Sequence, residues 1–576
     1  MKAGGAELKR LILGLRLVRS LKIDENHTLL LWAAVCGFLG ALATLGLKYA
    51  MGLMLHLFTG SSGGFVAAFT SIPPWQRLVV PVIGASCCGI ILQLGKTYSN
   101  KSGADYMEAI TLGDGIVRVR STILRSVAAM FAIAGGESIG REGPLVQMAA
   151  LASSAWGRLR HLPPARLRVM VACGAASGLA AAYHSPLGGA FFVAEIVIGS
   201  IAMETLGPLL IASTVSALTV QSIEGFDPLY LFPKFSLSSA SDILAYAIAG
   251  VAMGLASVLW MKMLDSSKPL FARLKLPLWG RLALGGLLIG LLAMRHPEVC
   301  GNGKSLVQEV LADNLALSAL AMMLVLKVVA TCISFGSGAI GGVFTPSLLI
   351  GATLGYILAL CLNFAHMSIV PSEMALISMG AFLAAAANAP ATAILMIFEM
   401  SMQYNVVLPL MVSTVIAYAT ARSISHKSLY SNSIKHGARG VLDRPMAEIQ
   451  VADMMHKDPP CLRPQATFKD VAKAFLKSPR QEIWLRSANR FHGCIQLSEV
   501  GPFLADAEFA ETVLASDIAT ENVPTLSAKA PLPDAFKTFA NSPLSRLPVM
   551  NEQGEMIGEV TRADVFLTIS ELTRRG

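Results

Sequence analysis

Gly140-Arg141-Glu142-Gly143-Pro144 sets an acid between two glycines in a chain that is otherwise largely apolar enough for a bilayer. A second break, Ile340-Gly341-Gly342-Val343-Phe344-Thr345-Pro346, follows in the other half, its Pro displaced by 202 residues (346 − 144 = 202). A further pair of landmarks keeps nearly the same period. Ala180-Ala181-Ala182-Tyr183-His184-Ser185-Pro186 leads to Glu195, and Ala385-Ala386-Ala387-Asn388-Ala389-Pro390 leads to Glu399 (390 − 186 = 204; 399 − 195 = 204). Hydrophobic segments interrupted by Gly and Pro at corresponding places in two halves point to a transport site at the repeat interface.

The bulk composition agrees. Of 576 residues, 54% are hydrophobic and 14% charged, against roughly 25% charged in an ordinary soluble domain. No Asp, Glu, Lys or Arg occurs from Val328 to Ser372, and only Glu373 and Glu399 are added up to Ala421. Val169–Ala194 and Thr205–Ile223 lack these residues too. A span needs about 20 such residues, so several are available, and backbone groups in lipid must bond internally, which rules out an open sheet. The chain therefore reads as an all-α polytopic membrane protein of two inverted-topology repeats. The net charge of +9 lies in short loops rather than in a nucleic-acid surface: Lys2, Lys9, Arg10, Arg16, Arg19 and Lys22; then Arg158, Arg160, Arg166 and Arg168; then Lys262, Lys268, Arg273 and Lys275. Positive loops face the cytoplasm, which puts the N-terminus inside, and the basic, Leu-rich start reads as an interfacial helix. Nine scattered Cys without a CxxC indicate neither a disulfide framework nor a metal site.

After Arg422 charges return, and the chain divides into an interfacial helix (1–28), a membrane body (29–434), a linker (435–447) and two soluble units (448–508 and 512–574). The soluble part has its own repeat: Val451-Ala452-Asp453 and Ala515-Ser516-Asp517 open units 64 residues apart (517 − 453 = 64). Each unit reads β-α-β-β-α and closes on a Gly before its last helix, Gly493 through Glu499 and Gly558 through Asp564. The pattern resembles a pair of CBS (cystathionine-β-synthase) domains, giving a cytosolic α/β pair. The second unit carries Gly558, Thr561 and Asp564; the first has Gln496 and Glu499 in place of the Thr and Asp.

A Glu in a membrane core is costly and is a functional candidate by default. Glu142, just before Pro144, falls in a first helical turn, where free N–H groups and the helix dipole favour negative charge. An acid and a diffusible anion would compete for those donors, which makes Glu142 a gate; the alternative is that it pairs with Arg141 or caps its helix. In the second break, glycines let the backbone approach a ligand, with the N–H groups of Val343 and Phe344 facing it. Two opposed helix N-termini bind an anion without a full positive charge, so it can be released.

These motifs resemble those of the CLC chloride channel/transporter family, closest to the bacterial voltage-gated chloride channel B type, over essentially the whole membrane body. The resemblance makes Glu142 the external gate within Gly140, Arg141 and Gly143, adds Val343 and Phe344 on the chloride path, and implies Ser102 and Tyr430 as central chloride ligands. It also implies a homodimer with one pore per subunit, in contact with lipid, no enzyme activity, and no cofactor other than an adenine nucleotide at Thr561, Asp564 and Glu499, for which a purely structural CBS pair is the alternative. A bacterial inner membrane with both termini cytoplasmic follows from the same branch.

Two departures from the family pattern bear on mechanism. Lys101-Ser102-Gly103-Ala104-Asp105 lacks the usual leading Gly and the Pro, though Ser102 survives. Where family antiporters carry a Glu-Glu pair, this chain has Glu195-Ile196, so the expected internal proton acceptor is absent; Glu195 either substitutes for it or is a structural acid mirrored by Glu399. His184, where the family has Asn, reads as a loop hydrogen-bonder rather than a proton relay. The leading reading is a voltage- or pH-gated chloride channel, the alternative an H+/Cl− exchanger with a non-standard proton route. A membrane-embedded enzyme is disfavoured for want of a His-Glu-x-x-His, a Ser/Lys dyad or paired Asp in the spans, and a nucleotide sensor with a vestigial pore is the remaining competitor.

Overall fold

A computed structural model describes residues 25–61, 63–98, 106–111, 114–199, 201, 203–226, 228–232, 235, 240–312, 316–425, 427–430, 446–457, 459–477, 482–487, 490–500, 513–542 and 544–573. The chain divides into two compact units, Met1–Ile434 and Lys435–Gly576. Residues 1–24, most of the proposed interfacial helix (1–28), and most of the linker lie outside the described residues. The first described helix, Glu25–Thr59, begins four residues before the boundary read from the sequence.

The first unit is helical. Among the described residues, eight helices are long and apolar enough to cross a membrane, from Thr28–Thr59 to Tyr404–Ile424. Between them lie shorter apolar segments, Pro186–Ile198, Pro371–Ala387 and Pro390–Ser401, the first and last of which start at the prolines of the sequence landmarks. Proline at the first helical position has no N–H to leave unsatisfied, so it starts these helices at little cost.

The repeat is visible in backbone conformation as well as in sequence. Helix Pro164–Tyr183 ends on His184 at φ 55°, and helix Pro371–Ala387 ends on Asn388 at φ 56°, both left-handed. Gly136 and Gly338 share positive φ (93° and 103°) at the corresponding ends of Val119–Ala134 and Leu317–Ser337. The spacings are those of the sequence landmarks (388 − 184 = 204; 338 − 136 = 202). A non-glycine left-handed C-cap is uncommon, and Asn and His are among the residues that tolerate it best. His184 thus turns the chain at the end of its helix; its Nε2 also lies 3.6 Å from Glu224.

The second unit is two small sheets. One has the order β2-β3-β4 (Cys461–Leu462, Glu482–Ser487, Arg490–Gln496) and the other β1-β7-β6-β5 (His456–Lys457, Met556–Thr561, Arg546–Met550, Leu526–Ser527). In each, a parallel pair is followed by an antiparallel one, β2 with β3 then β4, β5 with β6 then β7. The amphipathic helices Phe468–Lys477 and Leu532–Ala540 occupy the same place in the two halves. Two buried acids join the halves. Glu559, fully buried, accepts from the Trp484 indole N–H at 2.6 Å and from Arg546 at 2.7 Å. Glu482 accepts from the Ser545 backbone N–H at 2.8 Å and from its hydroxyl.

Removing one partner of a buried charge leaves the other uncompensated, at a cost of about 3–5 kcal/mol. Glu559→Ala is expected to lower amide protection of β3, β6 and β7 in hydrogen-exchange mass spectrometry of the intact protein. Glu559→Gln, which keeps an acceptor for the indole, should lower it less; native protection in Glu559→Ala would remove this acid from the fold's supports.

Candidate functional site

The two glycine breaks meet. The Gly140 N–H donates to the Gly342 carbonyl at 2.6 Å and the Gly342 N–H donates to Gly140 at 2.7 Å, an antiparallel bridge. It brings together the starts of helices Glu142–Leu159 and Phe344–Phe364. Their first turns present backbone N–H groups and the positive end of the helix dipole, a setting that favours negative charge.

Glu142 occupies that setting. It is 6% exposed, and Thr345 donates its hydroxyl to Oε1, while the Tyr183 and Thr345 hydroxyls lie 2.9 Å apart. The other carboxylate oxygen folds back over the bridge: a Cβ on Gly140 would stand 1.8 Å from Oε2, and one on Gly342 2.7 Å. Only residues without a side chain leave room for it. Oε2 is buried with no hydrogen-bond partner among the described residues. The sequence alternatives for Glu142 are thereby narrowed: among the described residues its recorded partner is Thr345, not Arg141.

From this point a line of rings leads to Tyr430. Tyr183 and Phe344 are 5.1 Å apart between centroids, Phe344 and Phe192 6.5 Å, and Phe192 and Tyr430 5.3 Å, the last pair edge-to-face. Tyr430 is thus joined by packing to Glu142, and the backbone just before it is fixed by Leu429 N–H donating to Ala386. Val343 is the residue before helix Phe344–Phe364 and Phe344 its first member. Ser102, Lys101 and Asp105 lie outside the described residues.

Glu195 and Glu399 have roles the sequence left open. Glu195 accepts from the backbone N–H groups of Ala391 (3.2 Å) and Thr392 (2.8 Å) and from the Thr392 hydroxyl (2.7 Å). Glu399 accepts from the N–H groups of Leu187 and Gly188, both at 2.9 Å, and from the Ser185 hydroxyl. Each acid therefore caps the first turn of the helix that carries the other, and the donors are repeat equivalents (391 − 187 = 204; 392 − 188 = 204). Glu195 sits on a π-helical stretch, Val193–Ile198, and Ile196 beside it packs against the hydrophobic core.

Sequence reading also missed Lys327, 1% exposed within helix Leu317–Ser337. Its Nζ donates to the carbonyls of Val299 (3.0 Å) and Gly301 (2.7 Å), anchoring the loop that leads to Asn302 and Lys304. A lone Lys in an apolar helix was the available signal; its target, a loop carbonyl pair, carries no side-chain signature.

In the second unit the candidate nucleotide residues form helix caps. Thr561 donates its hydroxyl to Asp564 at 2.5 Å and accepts from the Asp564 N–H at 3.1 Å; Gln496 N–H donates to Glu499 at 3.2 Å, and the Thr520 hydroxyl does so at 3.0 Å. Asp564 is also 2.9 Å from His456 Nε2 on β1. Burial opposes ionisation of Asp564, but hydrogen bonds from His456 and Thr561 outweigh it and hold its carboxyl below the ordinary 3.8. The hydrogen bond to Asp564 raises His456 above 6.5. Among the described residues no group of three or more His, Cys, Asp or Glu is arranged to hold a metal ion.

A helical membrane body whose two halves meet through paired helix starts, followed by a small α/β unit, is the architecture of an ion-translocating membrane protein with an appended C-terminal unit. Residues 84–422 match the voltage gated chloride channel family model, and residues 515–571 match the CBS domain. The chain is 42% identical over 422 residues to a putative chloride channel protein ClcB-like of Ralstonia nicotianae, covering 72% of this chain and 98% of that one. It is 36% identical over 409 residues to the voltage-gated ClC-type chloride channel ClcB of Salmonella typhimurium, covering 70% and 97%. Among solved structures, a slow cyanobacterial Cl−/H+ antiporter aligns with TM-score 0.63 at 25% identity, over 71% of this chain and 97% of the other. A eukaryotic CLC transporter shares the fold over 94% and 99%, with TM-score 0.65 at 19% identity. The chain belongs to the CLC chloride channel and transporter family, and carries a C-terminal CBS domain.

Glu195→Ala is expected to lower stability by about 1–3 kcal/mol, the penalty for leaving a buried donor unpaired, read as a fall in the unfolding midpoint in detergent. Glu195→Gln keeps an acceptor and should recover part of it; equal midpoints for wild type and Glu195→Ala would contradict the cap. For His456 the sign is set by its raised value: the pair's stabilisation is complete below pH 6.5 and fades as pH climbs through the folded value. Asp564 adds the acid limb, losing its contribution below pH 3.8. Both groups are partly exposed, so the pair is worth less than about 1 kcal/mol. The protection advantage of wild type over His456→Gln at β1 should therefore shrink from pH 6 to pH 9; a constant advantage would contradict the pair.

Proposed function

We propose that this chain conducts chloride through a pore in each subunit of a homodimer, with Glu142 as the gate, and that its proton coupling is weak or absent. The observation that carries the reading is the seat of Glu142: a carboxylate lodged across the Gly140–Gly342 bridge, where two helix N-termini converge. An anion arriving there competes with the carboxylate for the same positive helix ends. Gly140, Arg141, Gly143, Val343 and Phe344 would line the path, with the Tyr430 hydroxyl and Ser102 holding a central chloride. The membrane potential suffices as driving force, since one charge crossing 100 mV is worth about 2.3 kcal/mol.

The case against tight coupling rests on residues 195 and 196. Ile196 cannot carry a proton, and both carboxylate oxygens of Glu195 are already engaged by three donors of a helix start. Exchange remains the second reading, favoured by the likeness to the slow Cl−/H+ antiporter. Orientation follows from charge: the Arg158–Arg168 loop would face the cytoplasm, as would both termini, so that the Glu142 end of helix Glu142–Leu159 looks outward. We read 448–508 and 512–574 as the CBS pair, and the cap bonds of Asp564, Thr561 and Glu499 favour a structural role for it over an adenine-nucleotide site.

The test is chloride efflux and proton uptake recorded together from liposomes holding the purified protein. Chloride flux that drives no protons uphill is expected, and stoichiometric proton pumping would replace the channel reading with exchange. Glu142→Ala should leave flux that no longer responds to external pH; a retained response would remove Glu142 as the gate.

A further inference from the structure

A small cavity opens directly over Glu142, lined among others by Arg141, Tyr230, Asn302, Lys304 and Thr345. It adjoins a second depression that shares Arg141 and Lys304 and adds Lys48, His184 and Glu224. The charges are unequal. Lys48 is neutralised by Glu224, which also faces His184 at 3.6 Å. The side chains of Arg141 and Lys304 make no hydrogen bond or ion pair among the described residues, so two cations face the cavity, with Glu142 the one acid in its lining.

A neutral donor stands with them. Tyr230 is 1% exposed, yet its hydroxyl has no hydrogen-bond partner among the described residues. A buried donor left unpaired costs about 1–3 kcal/mol unless a ligand or water takes it. Its position is held firmly. The Tyr230 N–H donates to Met400, and the next residue, Leu231, is clamped at both N–H and carbonyl by Gln308, each at 2.8 Å. Gln308 lies on the helix Lys304–Leu311, whose preceding loop is anchored by buried Lys327. Tyr230 and Lys304 therefore belong to one braced assembly rather than to two independent loops.

We propose that this cavity is a further anion site, taking a small monovalent anion between the Tyr230 hydroxyl, Lys304 and Arg141 before it reaches Glu142. The inference rests on the chloride-pathway reading above and adds a position to it. The geometry suits waiting rather than trapping. Lys304 is exposed and Arg141 half-buried, so both attract through water and hold weakly, as passage requires. Two cations at the mouth of a low-dielectric cleft raise the local anion concentration. An anion seated here would also lie against the Glu142 carboxylate, and their repulsion would favour displacement of that side chain.

The experiment measures chloride flux into liposomes against external chloride concentration for wild type, Tyr230→Phe and Lys304→Gln, each also in a Glu142→Gln background. The expected result is a half-saturating concentration raised roughly three- to ten-fold by either substitution, the size of one lost hydrogen bond or charge contact, in both backgrounds. Unchanged half-saturation with flux intact overturns the site while leaving the chloride pathway standing. A shift seen only with native Glu142 overturns it too, because the cavity then receives the displaced carboxylate instead of an anion. Absence of chloride flux from wild type itself overturns the functional reading, and this site with it.

Discussion

Helices that start within an apolar membrane body expose backbone donors that need acceptors from elsewhere in the fold, and the membrane unit is organised around meeting that demand. At Pro186 and Pro390 the donors are met by Glu399 and Glu195, each from the other repeat. At Glu142 and Phe344 the breaks are met by pairing Gly140 with Gly342 across the same divide. Neither half can complete its helix starts alone. The repeat is thus a structural dependency, since each half supplies the acceptors the other lacks.

That dependency is also what makes the site. Acids used up as caps at Glu195 and Glu399 leave Glu142 as the carboxylate with an unpartnered oxygen at a helix start. The packed rings from Tyr183 to Tyr430 and the loop held by Lys327 then fix what lies on either side of it. The C-terminal unit solves a similar problem by similar means: Glu559 takes the indole of Trp484, and Glu482 takes Ser545, so each half of that unit also lends an acid to the other. Its helix caps repeat as well, Gln496 with Glu499 and Thr561 with Asp564.

The sequence made the repeat and the Glu142 break legible because both are local: glycine, proline and acid at fixed spacing, in a background too apolar for anything but a membrane. The identity of Glu399 as the mirror of Glu195 was legible for the same reason. What those two acids bind was not, because their donors lie about 200 residues away and are backbone groups without a side-chain signature. Thr345, Tyr230 and Lys304 escaped notice on similar grounds. A hydroxyl inside an apolar helix, a tyrosine in a loop and a lysine near a helix start are unremarkable until the chain folds them around one carboxylate. His456 was hidden differently: the strand that carries it opens the first unit but adds to the sheet of the second.

The Gly140–Gly342 bridge has a kinetic corollary. It is donated in both directions and flanked by two helices whose starts it joins, so the backbone beneath Glu142 has little freedom to hinge. Departure of the carboxylate from its seat, the motion that the proposed gate requires, would then fall to rotation about its own χ torsions, together with release of the Thr345 hydroxyl. Rotamer changes take picoseconds to nanoseconds in exposed side chains and are slowed by packing around a buried one such as Glu142, whereas domain hinges take microseconds to milliseconds. On the gating proposed above, the two halves would stay locked together while one side chain moves.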